Sequence, residues 1–361
     1  MTAWPDHRLV DLFGIEVPII QAPMAGANLS AMAIAVSEAG GLGSLPCALL
    51  PAERMRGEIG AIRAATARPY NLNFFCHREA PLDAAREARW RERLAPFYRT
   101  LGVDPETSLP APVRRPFDEA ACQIVEEMRP KVVSFHFGLP DPGLVARVKA
   151  SGALVLSSAT TVAEARWLEQ RGCDAIIAQG AEAGGHRGMF LGEDVAGQVG
   201  TMALVPQIVD AVGVPVIASG GIAEARGILA ALVLGAAGVQ LGTAYLFTPE
   251  ATLSPLHRAA LARAEANDTA LTNLFTGRPA RGIANRLMRE IGPICPDAPV
   301  FPQAAQALAP LRAKAEPAGD DGFMPLWAGQ ALRLAREQPA GVLTRRLAQE
   351  TLALAARLRP E

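Results

Sequence analysis

Ala175-Ile176-Ile177-Ala178-Gln179-Gly180-Ala181-Glu182-Ala183-Gly184-Gly185-His186-Arg187-Gly188 joins an apolar run to a loop of small residues. The run has the length of a buried strand, and glycine bounds it. From Gln179 onward the loop presents four glycines, a carboxylate and an imidazole in ten residues. Backbone without a Cβ lets a flat ligand come close. His186 carries the side chain that exchanges a proton near neutral pH without a large shift. Chemistry is therefore expected at this strand end.

Working outward, β-rich apolar runs alternate with alanine-rich helical patterns along the chain. The predicted strands are 17–22, 42–45, 70–75, 132–137, 153–158, 175–179, 214–219 and 238–241. The predicted helices are 30–39, 51–65, 117–128, 142–150, 161–172, 201–212, 224–234 and 254–266. Gly40, Gly152, Gly172 and Gly235 stop four of them, Pro142 suits a first turn, and Thr161-Val162-Ala163-Glu164 reads as a capping box. Continuous apolar strands covered by helices belong to a parallel sheet. An open doubly wound sheet is the alternative, but eight units in about 260 residues fit a closed (β/α)8 TIM barrel. The fold class is α/β, with an additional mostly helical domain on the substrate side.

Two regions exceed the barrel's needs. The barrel is expected over 1–266, with an excursion around 77–115. In it an arginine-rich helix at 84–93 is followed by Pro96, Pro105, Pro110, Pro112 and Pro116. Residues 267–330 are expected to form a helical lid over the barrel mouth, and 331–361 a helical segment packing back on the barrel. Gly319-Asp320-Asp321-Gly322 reads as a turn, because it lacks the oxygen series of a calcium loop.

Composition narrows the function classes. Thirty-five basic against 36 acidic residues leave no net field to draw nucleic acid or an anionic membrane. The start lacks a signal-peptide pattern, and no apolar run reaches the ~20 residues of a membrane span. Cys47, Cys76, Cys122, Cys173 and Cys295 are scattered and odd in number, which suits a reducing, cytoplasmic setting. No H-E-x-x-H or other metal set is present, and no serine sits in a G-x-S-x-G elbow.

Loops at the C-terminal ends of barrel strands share one face. Pro23 and Met24, Asn71 and Asn73, His136, the 179–186 loop and the glycines after the last two strands therefore converge. Ala218-Ser219-Gly220-Gly221-Ile222 and Gly238-Val239-Gln240-Leu241-Gly242-Thr243 place glycine turns where barrels bind phosphate through backbone amides. The glycine spacing at 40–43 and 180–185 does not match a dinucleotide turn. Local sequence leaves His186 between a base and a structural histidine, and His136 between packing and substrate contact. His7, His77 and His257 are read as surface or structural residues.

Taken together, Gln21-Ala22-Pro23-Met24-Ala25-Gly26, Asn71-Leu72-Asn73-Phe74-Phe75, Ser134-Phe135-His136-Phe137-Gly138-Leu139-Pro140, the 179–188 loop, 218–222, 242–246, Phe275-Thr276-Gly277-Arg278-Pro279-Ala280-Arg281-Gly282 and Trp327-Ala328-Gly329-Gln330 resemble the nitronate monooxygenases, once called 2-nitropropane dioxygenases, and most of all their class I. The resemblance implies an FMN barrel. It places flavin contacts at Pro23, Met24, Asn71, Gln179, Gly184, Gly185, Ser219, Gly220, Gly221, Gln240, Gly242 and Thr243. Gln179 would be a polar partner of the isoalloxazine, and His186 the catalytic base. His136, Tyr245, Phe301 and Trp327 would line the substrate pocket. The implied reaction is oxidation of small alkyl nitronates, or nitroalkanes after deprotonation, by O2 through a flavin semiquinone, giving carbonyl compounds and nitrite. Phe301-Pro302 departs from the tyrosine that the family often places there, so a hydroxyl is missing. An FMN-dependent NAD(P)H:quinone or enoyl-thioester reductase is the competing enzyme, and a flavin-binding sensor the competing non-enzyme. Monomer and homodimer both remain open.

Overall fold

The computed structural model describes residues 4–107 and 114–358. Pro110 and Pro112 of the excursion, and residues 1–3 and 359–361 of the expected terminal segments, lie outside the described residues. The strands are β1 (Ile19–Gln21), β2 (Gly43–Pro46), β3 (Tyr70–Phe75), β4 (Val132–His136), β5 (Leu154–Ala159), β6 (Ala175–Gln179), β7 (Gly185–His186), β8 (Val216–Ser219), β9 (Gly238–Leu241), β10 (Thr269–Thr272) and β11 (Ala280–Ile283). Eight of them form one parallel sheet in the order β1-β9-β8-β6-β5-β4-β3-β2. A bridge between Ile20 and Leu42 joins the two ends, so the sheet closes as a (β/α)8 barrel. The strands read as apolar runs because both faces are covered: every residue of β3, β6 and β8 is buried.

Helices cover the outside, with caps close to those predicted. Thr161 accepts from Glu164 N as an N-cap should. The reciprocal half of the expected box is absent, because the Glu164 carboxylate turns to Thr160 N (2.7 Å) and Phe190 N (2.6 Å) instead. A helix cap thus becomes a tie between the end of β5 and the end of the 179–190 loop.

Two further results differ from the sequence reading. The arginine-rich helix does not stop before Pro96 but runs through it, from Ala84 to Leu101. Proline removes one intrahelical hydrogen bond; burial of Trp90, Leu94, Phe97 and Tyr98 along one face offsets that cost. These side chains share a second apolar core with Leu274, Phe275, Leu287, Leu308, Leu311 and Phe323, so the 84–101 helix and the 274–323 segment pack as one body. The expected helical stretch 267–330 is also not purely helical. β10 and β11 pair antiparallel within it, and β11 then pairs with β7, placing Ala280 opposite His186 and Arg281 opposite Gly185.

The long helix Ala340–Arg357 lies against the helices Ser30–Glu38 and Ala225–Val233. Gly341 permits the approach, since a Cβ there would stand 3.0 Å from Ala35 O. Among the described residues no helix is long and apolar enough to cross a membrane.

Candidate functional site

The loop that leaves β6 is held from beneath by buried side chains. Arg187, fully buried, donates to Gly180 O and Gln179 O (both 2.6 Å) and to Gln198 Oε1 (2.9 Å). Arg281 adds a bond to Ala181 O (2.9 Å), so three consecutive carbonyls face guanidinium groups. Glu182 turns outward and caps the helix Thr201–Val209, accepting from Thr201 N (2.9 Å). A carboxylate suits that position, where free amides carry the positive end of the helix dipole. With its carbonyls so engaged, the loop keeps one shape.

Gln179 closes the loop on itself. Its Nε2 donates to His186 O (2.9 Å), and its Oε1 accepts from Gly188 N (2.7 Å). The side chain reaches the cavity, but its oxygen and one N–H are engaged by the protein. One Nε2 hydrogen is left for a ligand.

His136 Nε2 lies 3.1 Å from His186 O. A carbonyl only accepts, so Nε2 carries the proton, and Nδ1 then accepts from the Ser158 hydroxyl (3.1 Å). Both ring nitrogens are thus occupied in holding the loop, and burial pushes the pKa down to about 4. The ring is on the cavity wall. Its hydrogen bonds, however, support the loop and do not point into the cavity.

His186 is arranged differently. Thr276 Oγ1 is 3.4 Å from Arg278 O and 2.9 Å from His186 Nε2. The hydroxyl can donate to that carbonyl while accepting from Nε2–H, the tautomer that leaves the lone pair on Nδ1. Nδ1 has no protein partner among the described residues. Burial, followed by the charges of Arg114, His136, Arg278 and His77, holds the pKa well below the usual imidazole value. The ring is therefore neutral at neutral pH, and in that tautomer Nδ1 carries the lone pair that a general base requires.

The opposite wall is built from glycine. Gly220 (φ +112°) and Gly221 (φ +70°) stand where L side chains are strained, at the end of β8. A Cβ on Gly220 would also lie 3.0 Å from Gly180 O. At the end of β9, Gly242 leads into Thr243, whose Oγ1 accepts from Gly329 N (2.9 Å) and keeps its own proton for a ligand.

One cavity of about 530 Å³ collects these groups. Pro23, Met24, His136, Gln179, Gly184, Gly185, His186, Ser219, Gly220, Gly221, Gln240, Gly242, Thr243 and Trp327 all line it. Three expected residues do not. Asn71 lies in the barrel interior, donating to Ser44 Oγ (3.0 Å) and Ser134 Oγ (2.9 Å). Tyr245 is fully buried on the other side, with its hydroxyl 2.8 Å from Thr344 Oγ1; it packs the long helix Ala340–Arg357 and forms no pocket wall. Phe301 stands behind the site, its ring 5.4 Å from that of His186 and 4.8 Å from that of His77. His77 and His257 are both buried, and His257 reaches the cavity, with Nε2 3.2 Å from Trp327 O.

Residues 6–350 match the family model described as nitronate monooxygenase. The chain belongs to the nitronate monooxygenase family. A nitronate monooxygenase of Pseudomonas aeruginosa is 43% identical over 95% of this chain and 98% of its own. One of Paraburkholderia phytofirmans is 42% identical over 95% and 94%. Among solved structures, a nitroalkane oxidase from Streptomyces ansochromogenes superposes with a TM-score of 0.87 at 41% identity, covering 98% of this chain and 100% of that one. Membership in the nitronate monooxygenases makes the protein a flavin-dependent oxidoreductase.

The residues fit a flavin. Gln240 Oε1, on the cavity wall, is buried without a hydrogen-bond partner among the described residues. The glycine turns expose amides, and the Thr243 hydroxyl has a proton to give. Sequence reasoning missed Thr276, Arg187, Arg281 and Arg114. Thr276 and Arg281 sit inside the 275–282 motif, so their presence was visible; the β7–β11 pairing that gives them their partners was not.

Proposed function

We propose that this member is an FMN-dependent nitronate monooxygenase that converts small alkyl nitronates with O2 to carbonyl compounds and nitrite. In this reading His186 is the base that draws neutral nitroalkanes into the same path. The observation that carries the reading is the His186 imidazole. It is neutral, its Nε2 is held by Thr276, and its Nδ1 is free of protein partners among the described residues. The ring borders the cavity whose other wall is the glycine cradle.

A nitro group acidifies the adjacent C–H, and a positioned imidazole is suited to take that proton. When bound, the flavin supplies the electron acceptor and the route to O2. The protein's part is position and charge. The amides of Gly220 and Gly221, with Ser219 and Thr243, would hold a phosphate; Met24, Gly184, Gly185 and Gln240 would border the ring system. A single phosphate cradle, at the ends of β8 and β9, favours FMN over a dinucleotide. Acid release of the cofactor followed by mass measurement should give FMN; FAD would overturn that assignment.

The test of the reaction is to mix the flavin-loaded protein with ethylnitronate. Flavin absorbance is followed without O2, and nitrite is measured after O2 is admitted. Flavin reduction followed by nitrite over many turnovers is expected. Full bleaching by NADH or NADPH with no nitrite from the nitronate would move the protein to the reductases.

A further inference from the structure

Several arginines surround the site, and most are satisfied by the protein. Arg312 pairs with Glu316 (2.7 Å). Arg278 donates to Met189 O (2.7 Å) and lies 4.1 Å from the centroid of the Phe137 ring. Arg187 and Arg281 are bound to loop carbonyls. Arg114 differs: among the described residues its guanidinium has neither a carboxylate nor a carbonyl partner. It lines the cavity, with its central carbon 5.9 Å from the centroid of the Phe301 ring, which in turn stands 5.4 Å from His186. The guanidinium is part-buried on the cavity wall, and an anion in the cavity would supply the acceptor that the described residues do not. A nitronate is an anion and its parent nitroalkane is neutral. A fixed cation beside the base therefore treats the two differently.

We propose that Arg114 is the residue that selects the anionic nitronate over the neutral nitroalkane. The proposal rests on the nitronate-oxidising reading of the site. Charge-assisted hydrogen bonds to an oxyanion are about twice as strong as neutral ones, and Arg offers a planar pair of donors that matches the two nitronate oxygens. The same charge acts on the imidazole. The groups acting on His186 are Arg114, His136, Arg278 and His77, and Arg114 itself faces Arg312. Removal of Arg114 should therefore weaken nitronate capture and also let His186 hold its proton to higher pH.

The experiment compares the flavin-loaded wild type with Arg114→Met and Arg114→Lys, using preformed ethylnitronate and nitroethane. For Arg114→Met, kcat/KM on the nitronate should fall on the order of 10- to 100-fold. On nitroethane it should fall by less, while the acid limb of its pH profile moves upward. Added salt should slow the wild type on nitronate more than it slows Arg114→Met. Arg114→Lys should recover part of the nitronate rate. Equal losses on both substrates with an unmoved acid limb would mean that Arg114 only packs against Phe301. An undiminished nitronate rate would also overturn the proposal. If the wild type itself releases no nitrite from nitronate, the functional reading fails first, and the substrate ratio has no meaning.

Discussion

At the scale of single residues, the site depends on which nitrogen of His186 carries the proton. Thr276 bears on it, since its Oγ1 lies 2.9 Å from Nε2 and accepts there when its own proton goes to Arg278 O. His186→Asn should keep its flavin and lose about 10²- to 10⁴-fold in turnover of neutral nitroalkane, with a smaller loss on preformed nitronate; near-wild-type nitroalkane turnover would remove His186 as the base. Thr276→Val should lower kcat on nitroalkane by about tenfold and shift its pH profile, and Thr276→Ser should restore both. If the valine and serine variants behave alike, the hydroxyl has no part in setting the tautomer. Because the His186 pKa lies below its usual value, the base form is already populated at neutral pH. The nitroalkane rate should therefore stay flat as pH falls through ~6.5, the free imidazole value, and decline only below it. His186 was legible as a candidate because glycine surrounds it in sequence. Thr276 was not, because its partner is remote in sequence and the pairing that joins them spans a two-residue strand.

At the scale of elements, the β/α alternation was readable because the barrel strands are largely buried on both faces and four of the helices end at a glycine. β7, β10 and β11 were not readable. β7 holds two residues, one of them glycine, and a period of two needs more length than that. Reading the 84–93 helix as broken before Pro96 gave the proline rule more weight than the apolar face that continues past it. The two glycine turns now separate into different tests. A Cβ at Gly220 would meet backbone at 3.0 Å in a strained φ, so Gly220→Ala should lower both flavin affinity and thermal stability. At Gly242 the nearest atom is Ala22 Cβ at 3.6 Å, an ordinary contact. Gly242→Leu should therefore leave the apoprotein's melting temperature almost unchanged and weaken flavin binding, read by fluorescence titration. Unaltered affinity in both variants would place the phosphate elsewhere.

At the scale of the whole molecule, the buried histidines predict how the fold responds to acid. His77, His136 and His257 are each pushed down to about 4, chiefly by burial, and His186 lies well below its usual value for the same reason. The unfolded chain binds these protons near pH 6.5 and the folded chain does not. Between about 4 and 6.5 unfolding therefore takes up protons, and stability falls as pH falls. Above ~6.5 this contribution is complete and flat. Urea midpoints measured from pH 8 to 5 should stay level to about 6.5 and then drop, at constant m-value, with a slope of more than one proton. A midpoint independent of pH across that window would show that these rings are protonated in the folded state. The burial was not legible beforehand, because His77 and His257 were read as surface or structural residues and their partners, the Phe301 ring and Trp327 O, are remote in sequence.

The pairing of β7 with β11 gives His186 two anchors. His186 is covalently part of the barrel, yet its strand is bonded to β11 of the 267–330 segment, and Arg187 N donates to Pro279 O (2.8 Å) in continuation of that ladder. Any displacement of β11 would pull on the loop that holds the His186 imidazole. The amide of Arg187 is then a gauge of that coupling. Its hydrogen exchange should slow when a nitronate occupies the cavity, in step with the amides of β11.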